Sequence, residues 1–426
     1  MTLDRRKFLL RSGAGVAAAL TAGAAWKSAE GSAPPNPLQP TSDDWGAVRD
    51  QFTLTRDYIH LAGLLLASHP APVREAIERH RRGLDENPVD YLHANERKLE
   101  AAVRRAAAAY LGAQPEEIAL TDSTTMGLGT LYNGLILRPG QEIVTSTHDH
   151  YATHESLALK SQKSGATLRR IPLYQRPAAA SEAEIVGNLM RAVTPRTRIV
   201  AVTWVHSSTG VKLPIPAMAN ALAEVNSGRA DKDRVLLCVD GVHGFGVENA
   251  SMQELGCDFF VAGTHKWLFG PRGTGILWGK RSAWGAVSPT IPSFSRGVGW
   301  GGTMSPGGFH SFEHRWALGE AFQFHLATGK ARIATRIHAL NRQCKEGLAA
   351  MQHVTLYTPM SDSLSAGLVC FDVRGRRPRE VVESLRQRGI IASTTPYATS
   401  YARVTPGLLN SAEEIDTALG AIRALG

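Results

Sequence analysis

Thiols are scarce in this chain: 426 residues hold four cysteines, Cys238, Cys257, Cys344 and Cys370. None stands at a metal-ligand spacing such as C-x-x-C, which excludes a cysteine-built metal centre and leaves four small, buried hydrophobes. Long apolar runs are missing too. The most apolar amino-terminal stretch, Gly13 to Ala25, falls short of the ~20 residues that a membrane-spanning helix needs. Acidic side chains are the minority, 38 against 47 Lys and Arg, for a net charge of +9. Excess positive charge can serve nucleic acid, but Arg74, Arg79, Arg81, Arg82, Arg104 and Arg105 are scattered through predicted helices. With no aromatic-interleaved basic stripe and no DNA-binding motif, no nucleic-acid partner is expected; a generally basic surface suits acidic substrates. No repeat of 20–50 residues is present.

The amino terminus does carry a signal. Asp4-Arg5-Arg6-Lys7-Phe8-Leu9-Leu10 is a twin-arginine pattern, followed by the mildly apolar 13–25 run and Lys27. It predicts a signal peptide over 1–33, with Ala25, Ala29 and Ala33 as candidate ends, the twin-arginine translocase as an export partner, and a periplasmic or otherwise exported mature protein. Residues 34–57 read as a linker and amino-terminal segment, Gly31 to Pro40 being Pro-rich and extended. A large domain is expected over 58–310, built from alternating strands and helices from about Pro72 to Trp284. A smaller α+β domain is expected over 311–426, opening with a long helical stretch from about Arg315 to Met351.

Five apolar runs end in polar residues. Asp258 to Gly263 delivers Thr264-His265-Lys266, followed by the Gly-rich Gly270 to Gly275; Arg234 to Asp240 delivers Asp240 and His243. Thr197 to Val205 delivers His206-Ser207, Glu142 to Thr147 delivers His148-Asp149-His150, and Glu117 to Leu120 runs into Ser123-Thr124-Thr125. Asp240 and Lys266 are separated by one helix and one strand, a single crossover, which puts both at the same edge of a parallel sheet. Desolvation there lowers an amine's pKa, as a Schiff-base lysine requires. The hydroxyl residues after Leu120 open a helix, whose unpaired amides and dipole suit a phosphate.

The set Thr124-Thr125, His150, Asp240-x-x-His243 and Thr264-His265-Lys266 resembles the fold-type I pyridoxal-phosphate (PLP) enzymes of the class V aminotransferase family. That family includes cysteine desulfurases and isopenicillin-N-epimerase-like proteins. The likeness runs from about Tyr58 to the carboxyl terminus; with the leader, the chain is also similar to the exported PLP enzyme of pyoverdine maturation. The resemblance implies a large domain with a mostly parallel seven-stranded sheet. It further implies PLP on Lys266, Asp240 at the pyridine nitrogen, His150 on the ring, and Ser207 and His243 near the phenolic oxygen. Ser123, Thr124, Thr125, Thr264 and His265 would form the phosphate cup. Gly301-Gly302-Thr303 matches a segment that family dimers lend to the partner's phosphate site, so a homodimer and a cofactor contact from Thr303 are implied. Arg403, in Tyr401-Ala-Arg403-Val-Thr-Pro406, matches the arginine that grips a substrate α-carboxylate.

The chain departs from the desulfurases in one respect. The stretch Gly389 to Ser400, where they carry a nucleophilic cysteine, has none, which argues against persulfide chemistry. Three readings stay open. The first is an exported PLP enzyme acting at the α-carbon of an amino acid or of an amino-acid unit in a small peptide, by transamination or a related carbanion route, with Lys266 as base. The second is an epimerase or β-lyase, for which His148, Tyr151 and His154 are candidate second acid/base groups. The third is a non-catalytic binding protein of the same fold.

Overall fold

A computed structural model describes residues 44–295 and 297–426. The twin-arginine pattern, the expected leader (1–33) and residues 34–43 of the expected linker segment lie outside the described residues.

The central sheet has seven strands: β2 (Ile118–Thr121), β3 (Glu142–Ser146), β4 (Thr167–Ile171), β5 (Thr197–Thr203), β6 (Leu236–Asp240), β7 (Phe259–Gly263) and β8 (Gly275–Gly279). Their order is β2-β8-β7-β6-β5-β3-β4, and only β8 runs against its neighbours. β8 follows β7 after a short Gly-rich connection with no helix in it, which suits antiparallel pairing, whereas the parallel strands need crossovers. The strands are apolar on both faces because both are covered. Val144, Val200, Val202, Leu237, Val239 and Phe260 pack on one side, and the alternate residues Ile143, Ile199, Ala201, Leu236, Cys238 and Phe259 pack on the other.

The carboxyl-terminal part holds a four-stranded antiparallel sheet, with β9 (Val354–Leu356), β10 (Val369–Val373), β12 (Ser393–Thr394) and β13 (Ala402–Val404) in the order β12-β13-β10-β9. Leu348, Phe371, Leu385, Val404 and Ile415 form its apolar cluster. β1 (Ile59–His60), which the sequence places at the start of the large domain, pairs in parallel with β11 (Ile390–Ile391), and Leu61 joins the carboxyl-terminal cluster.

The helical stretch expected from Arg315 to Met351 is two helices, Phe312–Thr328 and Lys330–Ala349, divided at Gly329. Gly329 has φ +93°, a conformation that side chains with a Cβ rarely adopt. The first helix packs Leu318, Ala321 and Phe322 into the large sheet's core, and only the second turns Leu340 and Leu348 to the small one.

Candidate active site

The carboxyl ends of β2, β3, β5, β6 and β7 converge on one cavity of about 190 Å³. It is lined by Ser123, Thr124, Thr125, His150, Ser207, Asp240, His243, His265, Lys266 and Arg403, ten of the twelve residues that the sequence nominated. Each is fixed by its local chain. Ser123 caps the helix Thr124–Gly134, its hydroxyl accepting from the Met126 amide at 3.1 Å. Thr124 Oγ1 accepts from the Gly263 amide at 2.8 Å, which ties that helix terminus to the end of β7, three residues before Lys266. His150 caps the helix Tyr151–Ser164, with Nδ1 accepting from the Ala152 amide at 3.2 Å.

Burial sets the charges. It lowers the Lys266 amine to about 8; Arg403 acts in the same direction and Asp240 opposes them. Burial raises the Asp240 carboxyl to about 6, against the Val242 amide, which donates to Oδ1 at 3.1 Å, and against the charge of Lys266. His150 is held down to about 4 by burial and then by Lys266. His243 is pushed well down by burial and by Lys266, and its Nδ1 accepts from Trp267 Nε1 at 3.4 Å, which leaves the Nε2 side to carry the proton.

Arg403 is 1% exposed. Nε donates to Ser393 Oγ at 3.1 Å, Nη1 to the Ser207 carbonyl at 2.7 Å and Nη2 to the Thr394 carbonyl at 3.3 Å. Among the described residues it has no carboxylate partner within ion-pair distance, so a buried guanidinium faces the cavity without a counter-charge.

Two nominated residues fall elsewhere. Thr264 does not line the cavity: its amide and hydroxyl both donate to the Thr274 carbonyl, at 3.2 and 3.0 Å, bracing the Gly-rich turn instead of forming a cup. Thr303 lies in a short helix, Gly299–Met304, where its hydroxyl donates to the Gly299 carbonyl at 3.0 Å, away from this chain's cavity.

The cavity also contains His148, which the sequence offered only as a candidate second acid/base group, and groups that sequence reasoning missed. His148, Thr203 and His206 line it. His206 Nε2 faces Asp149 at 3.4 Å, and its Nδ1 meets the Tyr174 hydroxyl at 2.9 Å. Burial alone would raise the Asp149 carboxyl, but bonds from His206, the Thr203 amide and Thr145 hold it at about 2. His148 stacks on Tyr174 with centroids 3.9 Å apart, and its Nε2 is buried with no partner among the described residues. Tyr397, from the carboxyl-terminal part, places its hydroxyl 2.6 Å from Ser207 Oγ. His148 and His206 stood at predicted strand ends, the one signal available; Tyr174 and Tyr397 gave none.

The arrangement fits a pyridoxal phosphate. A buried carboxylate raised toward neutrality lacks the cation that a pyridinium would supply, hydroxyl residues gather at a helix terminus, and a lysine at about 8 is available as an amine. Comparison with known proteins is consistent with this geometry. The aminotransferase class-V family model matches residues 67–417. A cysteine desulfurase of Klebsiella pneumoniae is 27% identical over 354 residues, covering 76% of this chain and 82% of that one. Isopenicillin N epimerase of Streptomyces clavuligerus is 26% identical over 405 residues, covering 90% and 98%. Among solved structures, a C-DES mutant with glycine covalently linked to its PLP cofactor superposes with a TM-score of 0.80 at 24% identity, covering 91% of this chain and all of that one. That likeness establishes the fold as the type I α/β arrangement expected from the sequence.

Proposed function

Since the chain belongs to the aminotransferase class-V family, we propose that it is a PLP-dependent enzyme acting at the α-carbon of an amino acid, or of an amino-acid unit in a small peptide, by transamination or a related carbanion route. The observation that carries this reading is the meeting of Lys266, Asp240 and a carboxylate-free Arg403 in one cavity. Bound there, PLP supplies an electron-withdrawing ring that stabilises negative charge at the α-carbon. Asp240 would hold the pyridine nitrogen, and His150 would cover the ring. Ser123, Thr124, Thr125 and His265 would hold the phosphate with the helix amides. Ser207 and His243 would serve the phenolic oxygen, His243 donating from Nε2 because Trp267 occupies Nδ1. Arg403 binds and orients the substrate carboxylate. Lys266, neutral above about pH 8, takes and returns the α-proton. All four cysteines are buried and none lines the cavity, so these residues offer no thiol to accept sulfur.

A specific observation favours epimerisation as a second reading. His148 lines the cavity and its buried Nε2 has no partner among the described residues, which makes it the candidate second acid/base group, and an isopenicillin N epimerase matches nearly the whole chain. Racemised product without keto acid supports that reading; keto acid supports transamination, and pyruvate with ammonia supports β-elimination.

Export through the twin-arginine pathway belongs to the proposal, supported by Arg5-Arg6 and the apolar run behind them. So does a homodimer in which Thr303 serves the partner's site. Cell fractionation tests the first, and unprocessed protein confined to the cytosol overturns it.

The decisive experiment for the chemistry is the visible spectrum of wild type and Lys266→Ala with a panel of L- and D-amino acids. A lysine-anchored cofactor band in the wild type, decaying with particular amino acids and missing from the variant, is expected. A wild type that stays colourless with added PLP overturns the reading.

A further inference from the structure

A second cavity, of about 150 Å³, shares Lys266 with the first. Its walls are apolar, with Leu54, Leu66, Trp267, Phe269, Leu408 and Leu409 among them. They come from the segment ahead of the helix Ala71–Glu86, from the chain after Lys266 and from the chain after β13. One extended segment spans both cavities: Arg403 lines the first, and Thr405, two residues on, lines the second. Because the two cavities share Lys266 and this segment runs from one to the other, a molecule held by its carboxylate on Arg403 has the chamber beside it.

One fully buried hydroxyl at the chamber, that of Thr405, has no partner among the described residues. Thr405 is 2% exposed, and its amide donates to the Leu61 carbonyl at 2.9 Å. The side chains of His60 and Asn410 are engaged. His60 Nε2 meets the Thr55 carbonyl at 3.2 Å; Asn410 donates to the His60 carbonyl at 3.2 Å and accepts from the Gly407 amide at 3.0 Å. Buried hydroxyls are normally paired, so a lone one in an apolar chamber is a handle for a ligand atom. An apolar cavity of about this size holds benzene in another protein, and the rings of Trp267 and Phe269 offer aromatic contact.

We propose that this chamber is the side-chain subsite for an aromatic α-amino acid, with Thr405 reading a phenolic hydroxyl on its ring. The proposal rests on the reading of the first cavity as the PLP and carboxylate site. It orders substrates as tyrosine over phenylalanine over alanine.

The test uses the full PLP-loaded protein and two readouts: kcat/KM for alanine, phenylalanine and tyrosine, and calorimetric binding of p-cresol and toluene, the two aromatic side chains without their backbone. Gly63→Leu fills the chamber, because a Cβ at Gly63 meets no atom within 4 Å and the backbone there does not need positive φ. In the wild type, tyrosine is expected to exceed alanine by on the order of 10-fold or more, and p-cresol is expected to bind. Gly63→Leu should abolish cresol binding and collapse the tyrosine-to-alanine ratio, while Thr405→Val should erase only the preference for p-cresol over toluene. Cresol that fails to bind, or that binds Gly63→Leu as well as wild type, overturns the subsite whatever the amino acids do. Cresol binding that depends on Gly63 but comes with no amino-acid response in the cofactor band overturns instead the reading of the first cavity, and with it the chamber's link to a substrate.

Discussion

The two cavities that share Lys266 are made from different kinds of chain. The polar one is assembled from the carboxyl ends of five strands of one sheet, each a few residues beyond an apolar run. The apolar one is assembled mostly from turns and loops: the segment ahead of the helix Ala71–Glu86, the chain after Lys266 and the chain after β13. Strand ends deliver fixed vectors, which chemistry needs; loops deliver shape, which selectivity needs. The difference teaches where function becomes separable: the reacting groups sit on the rigid edge, and the chamber can vary without disturbing them.

The sharpest way to break that division is Arg403, which belongs to the small sheet yet serves the polar cavity. Arg403→Ala is expected to weaken amino-acid binding by roughly 2–5 kcal/mol, read by titrating the cofactor band. Arg403→Lys should not restore it, because an ammonium cannot present the planar fork. Unchanged affinity would remove Arg403 from the site and leave the strand ends to act alone.

Asp240→Asn tests the polar cavity itself. In the cofactor-free protein the folded carboxyl titrates at about 6, above its ordinary 3.8. The folded state therefore binds more protons than the unfolded one between these values. Stability falls as pH rises from about 4 to about 6, and the penalty persists above. Asparagine carries no such penalty, so cofactor-free Asp240→Asn should be more stable than wild type at pH 7, by at most about 3 kcal/mol. Its melting temperature should approach that of wild type toward pH 4. With PLP bound the sign should reverse, since the pyridinium partner is lost; equal pH profiles would mean that Asp240 is not held as a strained carboxylate.

The smallest effect is expected at Thr264. Its hydroxyl and amide both brace Thr274, so Thr264→Val should cost about 1 kcal/mol of stability and leave PLP affinity unchanged. Lost cofactor affinity with unchanged stability would return this residue to the phosphate cup.

Much of the polar cavity was legible because its residues are local to readable elements. An apolar run followed by a small polar cluster marks a strand end, and the crossover between Asp240 and Lys266 places both on one edge. His206 carried the same mark and was passed over because its neighbour Ser207 matches the family pattern, and His148, beside His150, was offered only as a candidate second acid/base group. Thr264 misled for the converse reason: it matches the pattern, but the direction of its side chain is set by the turn to Thr274. The break at Gly329 was not legible because the stretch from Arg315 to Met351 holds three glycines, and Gly319 and Gly347 sit inside helices while only Gly329 separates them.

What the sequence determined alone is what short-range physics determines: strands from apolar runs, helix starts from Ser123 and the hydroxyls behind it, and a lysine poised after a strand. What only the tertiary structure decided is which distant segments meet. Arg403 reaches Ser207 because β13 pairs into a sheet whose loops fold back over β5. His60, Leu66 and Thr405 enclose a chamber because β1 pairs with β11 across more than three hundred residues. Such contacts are stabilised by packing that involves the whole chain at once, and no local pattern of residues records them.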